Sequence, residues 1–333
     1  MEQPQIKTGA QAELLFNRLR KRHKHLKKWA RRAGTDAYRL YDKDIPEIPL
    51  VLDLYGNAVS GALYNRPYEK DENEEALWLL AMAGAVSKAL EIPKEHIFLK
   101  RRRKLKWRRE GGVQYSRLGN EHFYRDVHER DLLFRVNLSD YLDTGLFPDA
   151  RKRRALIQQE GAGKKVLNLF AYTSTLSLCA AKGGALEVDS VDLSNTYLEW
   201  GKVNFALNKL SPGENNAPWR FIRADVLVFL KEAAAKRQKW DIIILDPPSF
   251  SNSKKMKETL DIRRDYGELI RLCLRLLLPG GKLFFSTNAR GFHPDQSDFP
   301  RRPIRDLSPA LVDEDFRGKR TSSTWEILAE PPK

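Results

Sequence analysis

Beyond about residue 160, short apolar runs alternate with stretches long enough for one helix each, the pattern of a parallel sheet covered on both faces. The expected strands are Lys165–Leu169, Ser190–Leu193, Trp219–Arg223, Asp241–Leu245 and Lys282–Ser286. Upstream the pattern is mixed. Leu50–Tyr55, Ala58–Tyr64, Ile97–Lys100 and Leu132–Asn137 read as strands, and Glu74–Leu90 as a helix. Nearer the start, Leu15, Leu19, Leu26 and Ala30 fall on one side of a helix whose remaining positions between Arg18 and Arg32 are mostly basic. These patterns predict a basic helical extension over 1–45, a smaller α+β accessory domain over 46–145 and an α/β catalytic domain over 146–333; 333 residues suffice for two cores.

In open α/β sheets the ligand sits beyond the carboxyl ends of the strands, so the loops after these runs should hold the chemistry. The first is Asn168-Leu169-Phe170-Ala171-Tyr172-Thr173-Ser174, where Thr173 or Ser174 is expected to cap the helix 175–182 and leave its free amides facing a carboxylate. Asp192 and Leu193 end the second run, where an acidic side chain accepts hydrogen bonds from ribose hydroxyls. Asp225 and Val226 follow the third, within reach of an adenine amine. No glycine occurs between Lys165 and Lys182, so a dinucleotide pyrophosphate would lack the close backbone approach it needs. S-adenosylmethionine, which has no phosphate, suits these loops better.

The fourth run leads into Asp246-Pro247-Pro248-Ser249-Phe250. Two prolines fix φ and donate no hydrogen bonds, so the turn is stiff and presents bare carbonyls. An extruded base needs an aromatic face and polar groups along its edge, which Phe250, Asp246 and the Pro247 carbonyl supply. The plain alternative is a rigid strand exit with no chemistry.

Five runs together, 140–149, 168–174, 191–200, 246–252 and 288–292, resemble RlmK, the C-terminal half of the bifunctional bacterial RlmKL enzymes. The resemblance implies a Rossmann-like class I S-adenosylmethionine-dependent methyltransferase domain behind a smaller N-terminal α+β domain. It implies 7-methylguanosine formation in 23S ribosomal RNA, free or in a large-subunit assembly intermediate. A separate or fused N2-guanine methyltransferase half with an RNA-binding module is the expected partner. Asp246, Pro247, Pro248 and Phe250 then form the catalytic turn. Asp149, Arg151, Asn168, Phe170, Tyr172, Thr173, Asp192, Leu193, Asp225, Val226 and Asp246 bind the cofactor. Ser174 stands where the family usually has glycine, and a side chain there is expected to crowd the methionine end of the cofactor. The segment His293–Pro303 matches the family poorly and reads as a loop.

The residues also bear on which atom is methylated. Carbon-5 methylation of a pyrimidine requires a cysteine, and the loop Ser286-Thr287-Asn288-Ala289-Arg290 contains none; Cys179 and Cys273 lie in apolar helical stretches. Guanine N7 has an exposed lone pair and needs no general base. Exocyclic amines, guanine N2 or adenine N6, are the alternative, and an RNA-binding protein of the same fold without activity is another.

Charge agrees with an RNA substrate. The net charge is +15, and residues 1–165 hold 34 basic against 23 acidic side chains. The candidates for RNA contact are Arg20, Lys24 and Lys28 in the basic helix, Arg101, Arg102 and Arg103 with Trp107 in an expected hairpin tip, and Asn288 with Arg290 after the fifth strand. No run reaches transmembrane length, no signal-peptide pattern opens the chain, and neither zinc spacing nor a disulfide framework is present, so a cytoplasmic protein without metal or membrane partner is expected.

Overall fold

The computed structural model describes residues 3–64, 71–101, 119–210, 218–251, 260–319 and 321–329. The described residues form two compact units: one holds those up to Pro148 together with Glu314–Lys319, the other those of Asp149–Asp313 and from Thr321 on.

The first unit contains α1 (Gln3–Ala33), β1 (Ala37–Asp42), β2 (Leu50–Tyr55), β3 (Ala58–Leu63), α2 (Glu72–Leu90), β4 (Ile97–Arg101), β5 (Tyr124–Glu129) and β6 (Leu132–Asn137). Strands β1 to β4 form one sheet in that order, antiparallel except for the parallel β3–β4 pair, and β5–β6 is a separate hairpin. Leu15, Leu19, Leu26 and Ala30 of α1 are buried with Trp78, Met82, Ala85 and Val86 of α2 and with Leu40, Leu50, Leu52, Leu54, Val59 and Leu63 of the sheet. That stripe, spaced for one helix face, fixes the side of α1 that turns inward. Helix α2 starts at Asp71, whose carboxylate accepts from the Asn73 and Glu74 amides. Two strands were not expected from the pattern. Residues 37–42, within the predicted helical extension, pair as β1, and 124–129 form β5. The returning segment Glu314–Lys319 completes this unit: the fully buried Asp315 carboxylate accepts from the Arg39 amide at 3.0 Å, and the Arg39 guanidinium lies 4.8 Å above the buried Phe316 ring.

In the second unit follow α3 (Arg151–Glu160), β7 (Lys165–Leu169), α4 (Thr175–Lys182), β8 (Glu187–Asp192), α5 (Asn195–Leu207), β9 (Trp219–Arg223), α6 (Val226–Ala235), β10 (Trp240–Leu245), β11 (Phe250–Ser251), β12 (Leu260–Asp261), α7 (Ile262–Leu276), β13 (Leu277–Thr287), β14 (Ile304–Asp306), α8 (Ser308–Leu311) and β15 (Ser323–Leu328). Seven strands form one sheet in the order β14-β15-β13-β10-β7-β8-β9. The five from β13 to β9 are parallel, and β15 enters antiparallel between β13 and β14. Each of the five predicted strands lies in this parallel core. The short β14 and β15 were not expected, and within 293–303, read as loop, a 3₁₀ turn at Gln296–Asp298 leads toward β14.

Alternation along the strands assigns their two faces. Leu167, Leu169, Ile243, Leu245, Leu283 and Phe285 join one core with residues of α6 and α7. On the other face Asn168 donates to Ser177 of α4 at 2.8 Å. Helices α3 and α4 pack so closely that a Cβ on Gly183 would lie 1.9 Å from the Gln158 carbonyl, so only glycine fits there. Helix α3 crosses the sheet from end to end: Arg153 in its first turn reaches Asp246 just after β10, and Glu160 in its last accepts from Lys282 in β13 at 2.7 Å.

Candidate active site

The strand order reverses between β7 and β10, because the chain runs outward through β8 and β9 and then returns to the other side of β7. Such a switch point opens a crevice at the carboxyl ends of the two strands. Leu169 and Leu245 are paired there, so Phe170 and Asp246 leave the sheet side by side. Asp246 is held on both oxygens: Oδ1 accepts from the Ser286 hydroxyl at 2.8 Å, and Oδ2 pairs with Arg153 Nη2 at 3.1 Å. The carboxylate is about one-third exposed, whereas the Arg153 side chain is only 7% exposed. Pro247 is buried and Pro248 half-buried behind it. Ser249 donates to the Asn288 carboxamide, tying the turn to the loop after β13. Phe250 opens β11, and its side chain lies outside the described residues, as do Arg102, Arg103, Trp107 and Asn252.

The loop after β7 places three non-glycine residues in the left-handed region, Phe170 at φ 56°, Tyr172 at 50° and Ser174 at 56°. Each costs on the order of 1 kcal/mol, strain of the kind concentrated at functional sites. The loop is held from below by Ala171 N–H on the Val191 carbonyl, by Tyr172 N–H on Asp192 Oδ2 at 2.9 Å, and by Asn204 on the Thr173 carbonyl at 2.9 Å. Two expectations change here. Ser174 occupies the N-cap position of α4 but its hydroxyl makes no capping bond, because in the left-handed conformation the side chain is directed away from the helix amides. It lies fully buried against α5 instead, where a Cβ on Gly201 would come within 2.6 Å of its Oγ. A glycine on α5 thus accommodates the side chain that was expected to crowd the cofactor.

Asp192 ends β8 with Oδ2 accepting from Tyr172 N–H and Oδ1 from Ser194 N–H at 2.8 Å. A carboxylate has about four lone-pair sites, so acceptor capacity remains for a ribose hydroxyl. Burial pushes this carboxyl above its usual range, against the backbone donors that pull it down. Asp225 caps α6 through Oδ1, accepting from Leu227 and Val228 amides. Its Oδ2 has no hydrogen bond among the described residues. Leu193 is half-buried beside Asp192, and Val226 is buried in the core under α6. Asn168 is also buried, its carboxamide turned under the sheet to Ser177 rather than into the crevice.

The remaining sequence candidates divide. Asp149 accepts from the Ser322 amide and hydroxyl at 3.3 Å, and the buried Arg151 pairs with Asp313 at 3.0 Å, so both anchor the second unit's C-terminal segments. Asn288 and Arg290 are exposed on the loop after β13. Arg20, Lys24 and Lys28 belong to the first unit and are exposed along α1; Arg101 pairs there with Glu75 at 2.8 Å. Cys179 and Cys273 are fully buried, and burial pushes the Cys273 thiol up. Among the described residues no group of three or more acidic, histidine or cysteine side chains could hold a metal, and no helix is long and apolar enough to cross a membrane. Sequence reasoning missed Arg153 and Ser286, the two residues that hold Asp246. The one available signal for Arg153 was its position in the first turn of the helix that precedes β7, which must start at the carboxyl edge of the sheet.

The fold defines the class. A putative methyltransferase crystallised with SAH superposes with a TM-score of 0.72 at 24% identity, covering 96% of this chain and 82% of that one, which places the chain among Rossmann-like methyltransferase folds. In sequence, a family described as S-adenosylmethionine-dependent methyltransferase matches residues 79–299. Ribosomal RNA large subunit methyltransferase K of Neisseria meningitidis is 42% identical over 93% of this chain and 86% of its own length. Ribosomal RNA large subunit methyltransferase K/L of Pseudomonas syringae is 42% identical over 99% of this chain. The chain belongs to the S-adenosylmethionine-dependent methyltransferase family that includes these enzymes. It spans 42% of the length of that K/L relative.

S-adenosylmethionine is therefore the cofactor, and the crevice suits it. The remaining acceptor capacity of Asp192 fits a ribose hydroxyl, Oδ2 of Asp225 fits the adenine amine, and the absence of glycine after β7 matters little to a ligand without phosphate. Its charged amino-acid end requires both signs of charge, and Arg153 with Asp246 presents both at the switch point.

Proposed function

We propose that the protein methylates N7 of a guanine in large-subunit ribosomal RNA. The observation that carries this reading is the Asp246-Pro247-Pro248 turn, held rigid on β10 by Ser286 and Arg153 at the cofactor crevice, with no cysteine in the facing loop Ser286–Arg290.

The stiff turn presets a slot for an unstacked base, with the Pro247 carbonyl and Asp246 along its edge. When bound, the cofactor supplies a sulfonium methyl, and the N7 lone pair forms the new N–C bond as the S–C bond breaks, with no proton to remove. The chain's task is alignment, for which orientation alone can supply roughly 7 to 11 kcal/mol. Positive charge passes from sulfur to the purine during the transfer. Asp246 favours that charge, but Arg153 already offsets part of its field, so its larger role is to hold the turn and the reactants in line. The basic face of α1 supplies phosphate contacts for the RNA.

The test is incubation with labelled S-adenosylmethionine and undermethylated large-subunit ribosomal RNA, followed by nucleoside mass spectrometry. Label in 7-methylguanosine is expected. Label in N2-methylguanosine or N6-methyladenosine would keep the enzyme class and overturn the choice of atom. The K/L relative is more than twice as long as this chain, and addition of an N2-guanine methyltransferase half would test whether such a partner raises the rate.

A further inference from the structure

Arg153 is a buried guanidinium with most of its hydrogen-bonding capacity unspent. Nη2 pairs with Asp246 at 3.1 Å, while Nε and Nη1 are buried and make no hydrogen bond to any described residue. Leaving such donors unmade costs free energy unless a ligand takes them up. The neighbouring Arg151 differs, since Asp313 neutralises it at 3.0 Å.

Three further features mark the surroundings of Arg153 as a place for an anion. It stands in the first turn of the ten-residue helix α3, which has no acidic residue in that turn and no capping side chain on Ala150, so no side chain caps the amides there. Its partner Asp246 directly follows Leu245, which is paired with Leu169 at the switch point, so the ion pair is anchored at the strand end from which the strained loop after β7 also leaves. The ion pair also offers a cation and an anion side by side. That is the complement of an α-amino-acid zwitterion, whose carboxylate and ammonium lie a few ångströms apart.

We propose that Arg153 is the receptor for the α-carboxylate of the cofactor, taking it on Nε and Nη1 while Nη2 keeps Asp246 in place, and that Asp246 faces the cofactor's ammonium. Arg153 is then a binding residue that couples the seating of the cofactor to the position of the base-holding turn. The inference rests on S-adenosylmethionine being the cofactor and is independent of which nucleobase atom is methylated.

The test is calorimetric titration of the full chain with S-adenosylhomocysteine and with S-adenosyl-3-thiopropylamine, which differs only by lacking the carboxylate. The unsubstituted protein is expected to prefer the carboxylate-bearing ligand by about 10- to 100-fold, the range for a charge-assisted hydrogen bond. Arg153→Met should erase that preference, costing S-adenosylhomocysteine about 10- to 100-fold more affinity than the thiopropylamine, which shares only the ammonium contact with Asp246. If Arg153→Met does not fold, Arg153→Lys, which keeps the charge but loses the fork, should reduce the preference selectively. Equal loss of both ligands in either folded variant would assign Arg153 a purely structural role and overturn the proposal, as would a protein that does not discriminate between them. Binding of neither ligand by the unsubstituted protein would overturn the cofactor reading itself.

Discussion

Helices α1 and α3 carry arginine-dense sequences, Arg18–Arg32 in the first and Arg151–Arg154 in the second, and the fold uses them in opposite ways. In α1, Arg20, Lys21, Lys24, Lys27, Lys28, Arg31 and Arg32 are exposed and have no acidic partner among the described residues. Arg18, on Asp44, and Arg22, on the Leu40 and Asp315 carbonyls, are hydrogen-bonded within their own unit. In α3, Arg151, Arg153 and Arg154 are 4%, 6% and 1% exposed. Burying a guanidinium costs several kcal/mol unless charge and hydrogen bonds compensate, and Asp313 and Asp246 stand where compensation is needed. Whether a basic run is left on the surface or drawn into the fold thus depends on whether carboxylates from other elements converge on it.

The sharpest way to break this contrast is to remove the carboxylate on the α3 side. Asp246→Ala should lower methyl transfer by more than about 1000-fold, since a misaligned pair of reactants forfeits much of the orientation advantage. The chain should stay folded by circular dichroism; a variant with full activity would remove Asp246 from the mechanism. Next in size is Gly183→Ala, which forces α3 away from α4. It should destabilise the second unit by about 1 to 3 kcal/mol in denaturant unfolding, and wild-type stability would show that α3 is not clamped there.

On the α1 side, Arg20, Lys24 and Lys28 changed together to Gln should reduce the slope of log affinity for RNA against log salt by about 2 to 3, with cofactor affinity unchanged. An unaltered slope would return α1 to an ordinary solvated face. Smallest is Ser174→Gly. It relieves a left-handed serine and removes a buried hydroxyl without a hydrogen-bond partner, so stability should rise by about 1 kcal/mol, offset in part by the flexibility of glycine. Cofactor affinity should hold, because the side chain packs on Gly201; a marked gain in affinity would mean that the serine does crowd the pocket.

In the catalytic sheet β7, β10 and β13 were legible because they are buried on both faces over most of their length and read as apolar runs, and the more polar β8 and β9 because helix-length stretches set them off. The acidic tips Asp192, Asp225 and Asp246 follow from where those runs stop. The two antiparallel strands were not legible: β14 is three residues long, and β15, Ser323–Leu328, mixes polar and apolar positions like a loop. Strand β1 was lost because its pairing with β2 depends on a partner elsewhere in the chain. The functions of individual residues were harder still. The contacts of Asp149 with Ser322 and of Arg151 with Asp313 cross too much sequence to be foreseen, and Arg153 looks like a solubilising charge until its burial is known. Charge is visible in a sequence, but what lies across from it is not.

The return of Glu314–Lys319 to the first unit has a consequence for how the protein is made. Domains generally complete themselves in the order of synthesis, at roughly 5 to 20 residues per second. Here the ribosome must translate the residues between Pro148 and Glu314 before Asp315 and Phe316 exist to close over Arg39. For roughly 10 to 30 s at that pace, the nascent chain carries the exposed cations of α1 on an unfinished scaffold.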